Sequence, residues 1–171
     1  MSLTPSAILR NPKPRNAADA WLLAHPEVGL SQYEYHRDGS GVHFSSHLRP
    51  VVNLAPKTLT WGFCADTNLT AWLEAIDQPF DIITDAELDK SGQGALTPYL
   101  VVITCSHPEY YSTRMRDGLE SWLADDGGRL MYMGGNGFYW RVAFHPEKPA
   151  IMEVRRAEGG TRAWMARPEG E

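Results

Sequence analysis

Two rhythms of apolar residues run along this chain. Val101, Val102 and Ile103 are consecutive β-branched residues with no polar break, the pattern of a strand covered on both faces in a parallel sheet, and the strand is read over 100–105. Immediately after it, STRMRDGLESWLA (112–124) sets Met115, Leu119, Trp122 and Leu123 on one helical face. The same alternation occurs on either side. KTLTWGF (57–63) reads as a strand and NLTAWLEAI (68–76) as an amphipathic helix. FDIIT (80–84) is a further strand, followed by DAELDKSG, a short helical turn that Asp85 can cap. Asp126-Gly127-Gly128 closes the long helix with a glycine C-cap, and RLMYM (129–133) is the next strand, running into GGNGFYW. Two short strands are expected over 152–156 and 162–165.

Strands alternating with helices imply right-handed crossovers. The expected fold is therefore α/β, a three-layer, mostly parallel sheet of flavodoxin-like or class I glutamine amidotransferase-like form. Residues 1–50 read differently, because Pro and Gly interrupt them and SQYEYHRDGSGVHFSSHLRP alternates aromatic and polar positions around Asp38-Gly39-Ser40-Gly41. That stretch is expected to be an irregular N-terminal arm with a short hairpin, leaving 51–171 as the α/β domain. The chain ends at RPEGE with neither a terminal helix nor a polar cap, and its aromatic arm looks built to lie on another domain, so it is expected to be part of a longer protein.

Composition narrows the function classes. With 171 residues the chain suits one domain with a true core. A net charge of −5 with scattered basic residues argues against a nucleic-acid partner. Cys64 and Cys105 are the only cysteines and lack zinc-finger spacing, which points to two reduced thiols and a cytoplasmic protein. No segment approaches the ~18 apolar residues of a membrane span, and MSLTPSAILRNPKPRN lacks the apolar core of a signal peptide.

Candidate chemistry gathers after the two best-defined strands, where open α/β sheets place their binding crevice. TCSHPEYYS follows the first, with Cys105 at the strand end and His107, Glu109, Tyr110 and Tyr111 beyond it. Cys105 occupies the place of a nucleophile elbow, but Ser106 and Pro108 replace the small flanking residues an elbow needs, so a structural thiol is expected. The tyrosines can fill the core, or a bound cation can hold them as phenolates. GGNGFYWR follows the second strand, and its glycines let Asn136 and Tyr139 aim into the same crevice. It lacks the Lys-Ser/Thr ending of a phosphate loop.

HPEYYS and GGRLMYMGGNGFYWRV, preceded by FDIITDAEL and DGSGVHFSSHLRP, closely resemble the C-terminal region of the large (β) subunit of N,N-dimethylformamidase, over nearly the whole chain from about Tyr33. The resemblance implies an amidotransferase-like α/β domain and hydrolysis of N,N-dimethylformamide to dimethylamine and formate. It also implies a mononuclear iron held by two tyrosines and a glutamate. One tyrosine carries over to Tyr139; the other is placed on Tyr110, with Tyr111 and Tyr99 as alternatives, Tyr99 ranking lower because it lies at the amino end of its strand. The glutamate falls well beyond Tyr139 and is expected to lie outside this chain. Glu109 or His107 is expected to orient water or protonate the leaving amine, and Asn136 to donate to the developing oxyanion. The implied partners are a small amide substrate and other domains or subunits of the same enzyme. Two other readings stand beside this one: a non-catalytic α/β domain whose aromatic loop binds a partner subunit, and a thiol enzyme using Cys105 with His107.

Overall fold

The computed structural model describes residues 17–28, 36, 38–49, 62–148 and 150–155. The expected strands at 57–63 and 162–165 fall, apart from residues 62 and 63, outside them, as does the first limb of the expected hairpin. In chain order the elements are α1 (Ala17–Ala24), a 3-10 turn (Pro26–Val28), β1 (Phe44–Ser46), α2 (Phe63–Ala75), α3 (Asp85–Ser91), a second 3-10 turn (Gly92–Ala95), β2 (Val101–Ile103), β3 (Tyr110–Tyr111), α4 (Thr113–Asp125), β4 (Arg129–Met131), β5 (Trp140–Phe144) and β6 (Ile151–Arg155). The class is mixed α/β, as expected.

The strands form two sheets. β2 and β4 pair in parallel, with Val101 opposite Arg129 and Ile103 opposite Met131. The second sheet has the order β1-β6-β5-β3, and it is mixed: β3 and β5 run parallel, whereas β5–β6 and β1–β6 are antiparallel. Among the described residues the expected mostly parallel sheet is thus represented by one parallel pair beside a mixed sheet. The sequence reading missed β3 and β5, because a two-residue strand has no period to detect and WRVAF follows a glycine turn that reads as loop. Residues 80–84 also differ from expectation. They form no strand; Ile83 packs on the core while Ile82 is exposed, but no neighbour among the described residues completes a ladder.

Local chemistry accounts for the helices. α4 begins at Ser112, whose hydroxyl accepts from the Met115 N–H at 3.1 Å and donates to Asp89 Oδ1 at 2.5 Å. The cap satisfies one of the orphan donors of the first turn and ties α4 to α3. Its far end is closed by Gly127 at φ 65°, the left-handed position expected of a glycine C-cap. The cap of α3 is Thr84 rather than Asp85: Thr84 Oγ1 accepts from the Glu87 N–H, and Glu87 Oε2 accepts from the Thr84 N–H at 2.8 Å.

One core lies beneath β2 and β4. Leu96, Leu119 and Trp122 are buried there, with Ile83, Leu88, Val102 and Leu130 packed against them. Among the described residues this covers one face of the pair, and Val101 and Met131 on the strands keep substantial exposure. A second core, of Tyr110, Val142 and Val154 with Trp140, Phe144 and Met152 around them, sits on the mixed sheet. Its outer strand β1 comes from the stretch read as an arm. The turn before it forms as expected: His36 N–H donates to Ser40 O at 2.8 Å, and Asp38 Oδ1 accepts from the Ser40 N–H and hydroxyl. The strand that follows pairs with β6.

Candidate active site

The parallel pair β2–β4 delivers two chain segments to the same edge. Past β2, Thr104 prolongs the ladder, its N–H donating to Met131 O at 3.0 Å while its hydroxyl accepts from the Met133 N–H at 2.8 Å. The next polar residue is anchored from a different element. Asp66, in the first turn of α2, accepts both the Ser106 N–H at 2.8 Å and the Ser106 hydroxyl at 2.7 Å.

From Ser106 onward the two loops are joined. Phe138 N–H donates to Pro108 O at 2.9 Å and Trp140 N–H to Glu109 O at 2.8 Å, which sets β3 beside β5 with Tyr110 opposite Trp140. Gly134 makes the approach feasible, since a Cβ there would lie 2.4 Å from Ser106 O and 2.7 Å from Pro108 Cδ. Asn136 and Phe138 both adopt positive φ, 53° and 57°, to turn the chain back into β5. HPEYY and GNGFYW thus occupy one place in the fold.

The side chains named from sequence take distinct positions. His107 Nε2 stands 3.0 Å from Glu109 Oε2, with both side chains about nine-tenths buried. The ring nitrogen makes no aligned hydrogen bond, so this contact is one of charge when the imidazole is protonated. Asn136 is exposed at the tip of the turn. Tyr110 keeps only 6% exposure and belongs to the second core, whereas Tyr139 is 64% exposed and meets Trp140 edge-on at 5.0 Å. Strand alternation turns Tyr111 to the face opposite Tyr110, where it packs on Phe138 with ring centroids 4.4 Å apart. Tyr99 lies before β2, its hydroxyl donating to Asp81 Oδ2 at 3.0 Å.

Cys105 is exposed, and neither Cys64 nor Cys105 is in a disulfide. Burial by surrounding atoms, then the carboxylates of Asp66 and Asp85, push the Cys105 thiol up to about 11. Seven residues, including a loop and β3, separate it from the start of α4 at Thr113, so no helix N-terminus stabilises a thiolate. Burial and then Asp85 likewise raise the Tyr111 phenol to about 12. We expect Cys105 to resist alkylation at pH 7 and to label rapidly only as pH approaches 11. On the expected amide-hydrolase reading, Cys105→Ala should leave hydrolysis intact, and a hundredfold fall in turnover without unfolding would restore the thiol reading. The sign for stability follows: the unfolded thiol ionises from about pH 9 while the folded one keeps its proton, so this group removes stability as pH rises from about 9 to about 11.

Asp66, Ser106, Tyr132 and Phe138 are the residues of this region that sequence reasoning passed over. Asp66 gives no signal of its own, being one acid in a helix first turn that contacts a loop forty residues away. Tyr132 was read as part of a strand that in fact ends at Met131.

Comparison with known proteins decides the family. Residues 17–171 match the family described as N,N-dimethylformamidase beta subunit-like, C-terminal. The chain belongs to this family. It is 46% identical over 148 residues to the N,N-dimethylformamidase beta subunit of Paracoccus aminophilus, and 46% identical over 148 residues to that of an Alcaligenes species. Each match takes in 84% of this chain and 19% of the relative, so the chain spans about a fifth of the length of these relatives.

Whether the site suits iron turns on its donors. Among the described residues no group of three or more His, Cys, Asp or Glu is arranged to hold a metal ion. What the two joined loops offer instead is phenols. Tyr139 directly precedes β5, whose Trp140 and Arg141 pair with Tyr110 and Tyr111 of β3, and hard oxygen donors fit ferric iron in kind. Tyr110 is packed into the second core, whereas Tyr111 lies on the other face of its strand.

Proposed function

We propose that this chain is the α/β domain of an iron-dependent amide hydrolase that cleaves small N-alkyl amides of the N,N-dimethylformamide type to an amine and formate. The observation that carries the reading is the junction of the HPEYY and GNGFYW loops at the carboxyl edge of a parallel strand pair, in a chain 46% identical to N,N-dimethylformamidase beta subunits. The parallel pair with α3 and α4 packed beneath it supports a flavodoxin-like or class I glutamine amidotransferase-like core.

Tyr139 and one of the adjacent tyrosines, Tyr110 or Tyr111, would hold the iron together with a glutamate. Strand alternation favours Tyr111. The metal, when bound, supplies Lewis acidity for attack of water on the formyl carbon. Glu109, which stands beside His107, would take the proton of the attacking water, and His107 would return one to the departing amine. Asn136 at the exposed tip of the turn can donate to the oxygen that gains charge. The implied partners are other domains or subunits of the same enzyme, and two cysteines without a disulfide favour a cytoplasmic setting. Among the described residues no helix is long and apolar enough to cross a membrane.

Assay of the full-length protein on N,N-dimethylformamide, with formate and iron measured in the same preparation, tests the reading. We expect formate release in proportion to bound iron. Undiminished turnover after iron removal would overturn it.

A further inference from the structure

The loop junction carries a cluster of rings of which only Tyr111 is also a candidate iron donor, and then through its oxygen rather than its face. Phe138, a bulky residue, is held at φ 57°, a conformation that side chains of its size rarely adopt and that marks a position fixed for a purpose. The strain presents its ring to two others: Tyr111 at 4.4 Å between centroids and Tyr132 at 6.4 Å, the latter nearly parallel at 21°. The arrangement is clamped at several points. Phe138 N–H donates to Pro108 O at 2.9 Å, and Gly137 N–H donates to the Tyr132 hydroxyl at 2.9 Å. A Cβ on Gly137 would approach that hydroxyl to 2.4 Å, so the turn closes down on the Tyr132 ring only because residue 137 has none. Despite this clamping the rings are not sealed into a core, for Phe138 remains 41% exposed and Tyr132 48% exposed.

We propose that Tyr111, Tyr132 and Phe138 form an aromatic seat for a small N-methylated ammonium ion, the amine half released when an N,N-dialkyl amide is hydrolysed. The inference rests on the hydrolase reading for its choice of ligand. The rings present apolar area to methyl groups and, at their faces, the negative lobe of the aromatic quadrupole to a cation. Negative charge is held close by, where Asp66 accepts from the Ser106 N–H and hydroxyl at the start of the HPEYY loop, and, after burial, the Asp85 carboxylate raises the Tyr111 phenol. An amine released at neutral pH takes up a proton and becomes the cation that such a seat favours. A neutral amide gains only the apolar contact. The seat would thus receive the product after the C–N bond breaks and draw it away from the reacting carbon.

Titration of the 171-residue chain with dimethylammonium chloride, following the methyl proton resonance, tests the seat. Ring currents should move the signal upfield in a saturable way. Tetramethylammonium should compete and ammonium chloride should not. Phe138→Leu should weaken binding about tenfold and Asp85→Asn about threefold; if Phe138→Leu does not fold, Tyr132→Leu takes its place, since that ring is half exposed. Unchanged binding in a folded Phe138→Leu or Tyr132→Leu variant, or displacement by ammonium alone, would overturn the proposal. The two readings fail separately. Dimethylammonium binding by this chain together with a full-length protein inert on N,N-dimethylformamide would uphold the seat and remove the hydrolase, whereas turnover without dimethylammonium binding would uphold the hydrolase and remove the seat.

Discussion

On the proposed iron-hydrolase reading, Tyr139→Phe is expected to lose iron and amide hydrolysis together while the fold survives. The phenol contributes one oxygen donor, and the ring that remains keeps its edge-on contact with Trp140. Because the side chain is largely exposed, stability should change by no more than about 0.5 kcal/mol. Losing a ligand removes far more than the ~10–100-fold typical of a residue that only supports one, so metal affinity should fall by at least about a hundredfold. Visible absorption from phenolate-to-iron(III) charge transfer should vanish in step with metal content. The neighbouring variants identify the second donor. If it is Tyr111, then Tyr111→Phe should bleach the protein and Tyr110→Phe should chiefly disturb packing around Val142 and Val154. Metal analysis with a visible spectrum decides, and an iron-loaded, active Tyr139→Phe protein would end the metal proposal.

Elements whose cause is local were legible in the sequence. α4 shows an apolar face and a glycine stop, and the structure buries Met115, Leu119 and Trp122 of that face and turns at Gly127; its Ser112 cap is a finding of the structure. β2 and β4 were legible because runs of apolar, β-branched or long residues beside a helix point to a parallel pair. Sheet order was not. β3 exists only because Trp140 N–H reaches Glu109 O across thirty residues, and β1 only because β6 returns to meet it. Such strands are defined by a neighbour rather than by their own periodicity. Residues 80–84 show the converse, a strand-like composition that no described neighbour pairs with.

The candidate site follows the same division. Sequence placed the two aromatic loops at one edge, and the bonds from Phe138 and Trp140 to Pro108 and Glu109 join them there. Which tyrosine faces which side could not be read, because it depends on the register that sets Tyr110 against Trp140; a shift of one residue would exchange Tyr110 and Tyr111. Asp66 was equally hidden. Its link to Ser106 depends on where α2 ends up, and no spacing along the chain encodes that contact.

Trp122→Ala should be among the most destabilising single changes, at about 3–5 kcal/mol. Trp122 is fully buried between Leu96 and Leu119, beneath Val102 of β2 and Leu130 of β4, so the cavity would open under the strands whose ends hold the site. That loss is a large part of the ~5–15 kcal/mol that keeps a typical domain folded. The indole has one unfavourable feature, an Nε1–H that is buried without a hydrogen-bond partner. Trp122→Phe removes that donor, whose burial costs about 1–3 kcal/mol, and leaves a smaller void, so it should lose less than half as much as Trp122→Ala. Gly128 supplies the decisive comparison. A Cβ there would fall 2.2 Å from Trp122 Cε2, so Gly128→Ala alone must push the ring aside and destabilise. In the Trp122→Ala background the same methyl group points into the vacated space, and its cost should largely disappear. Urea unfolding of the wild type, both single variants and the double variant measures the coupling. Additive losses in that cycle would mean that the ring does not pack against residue 128.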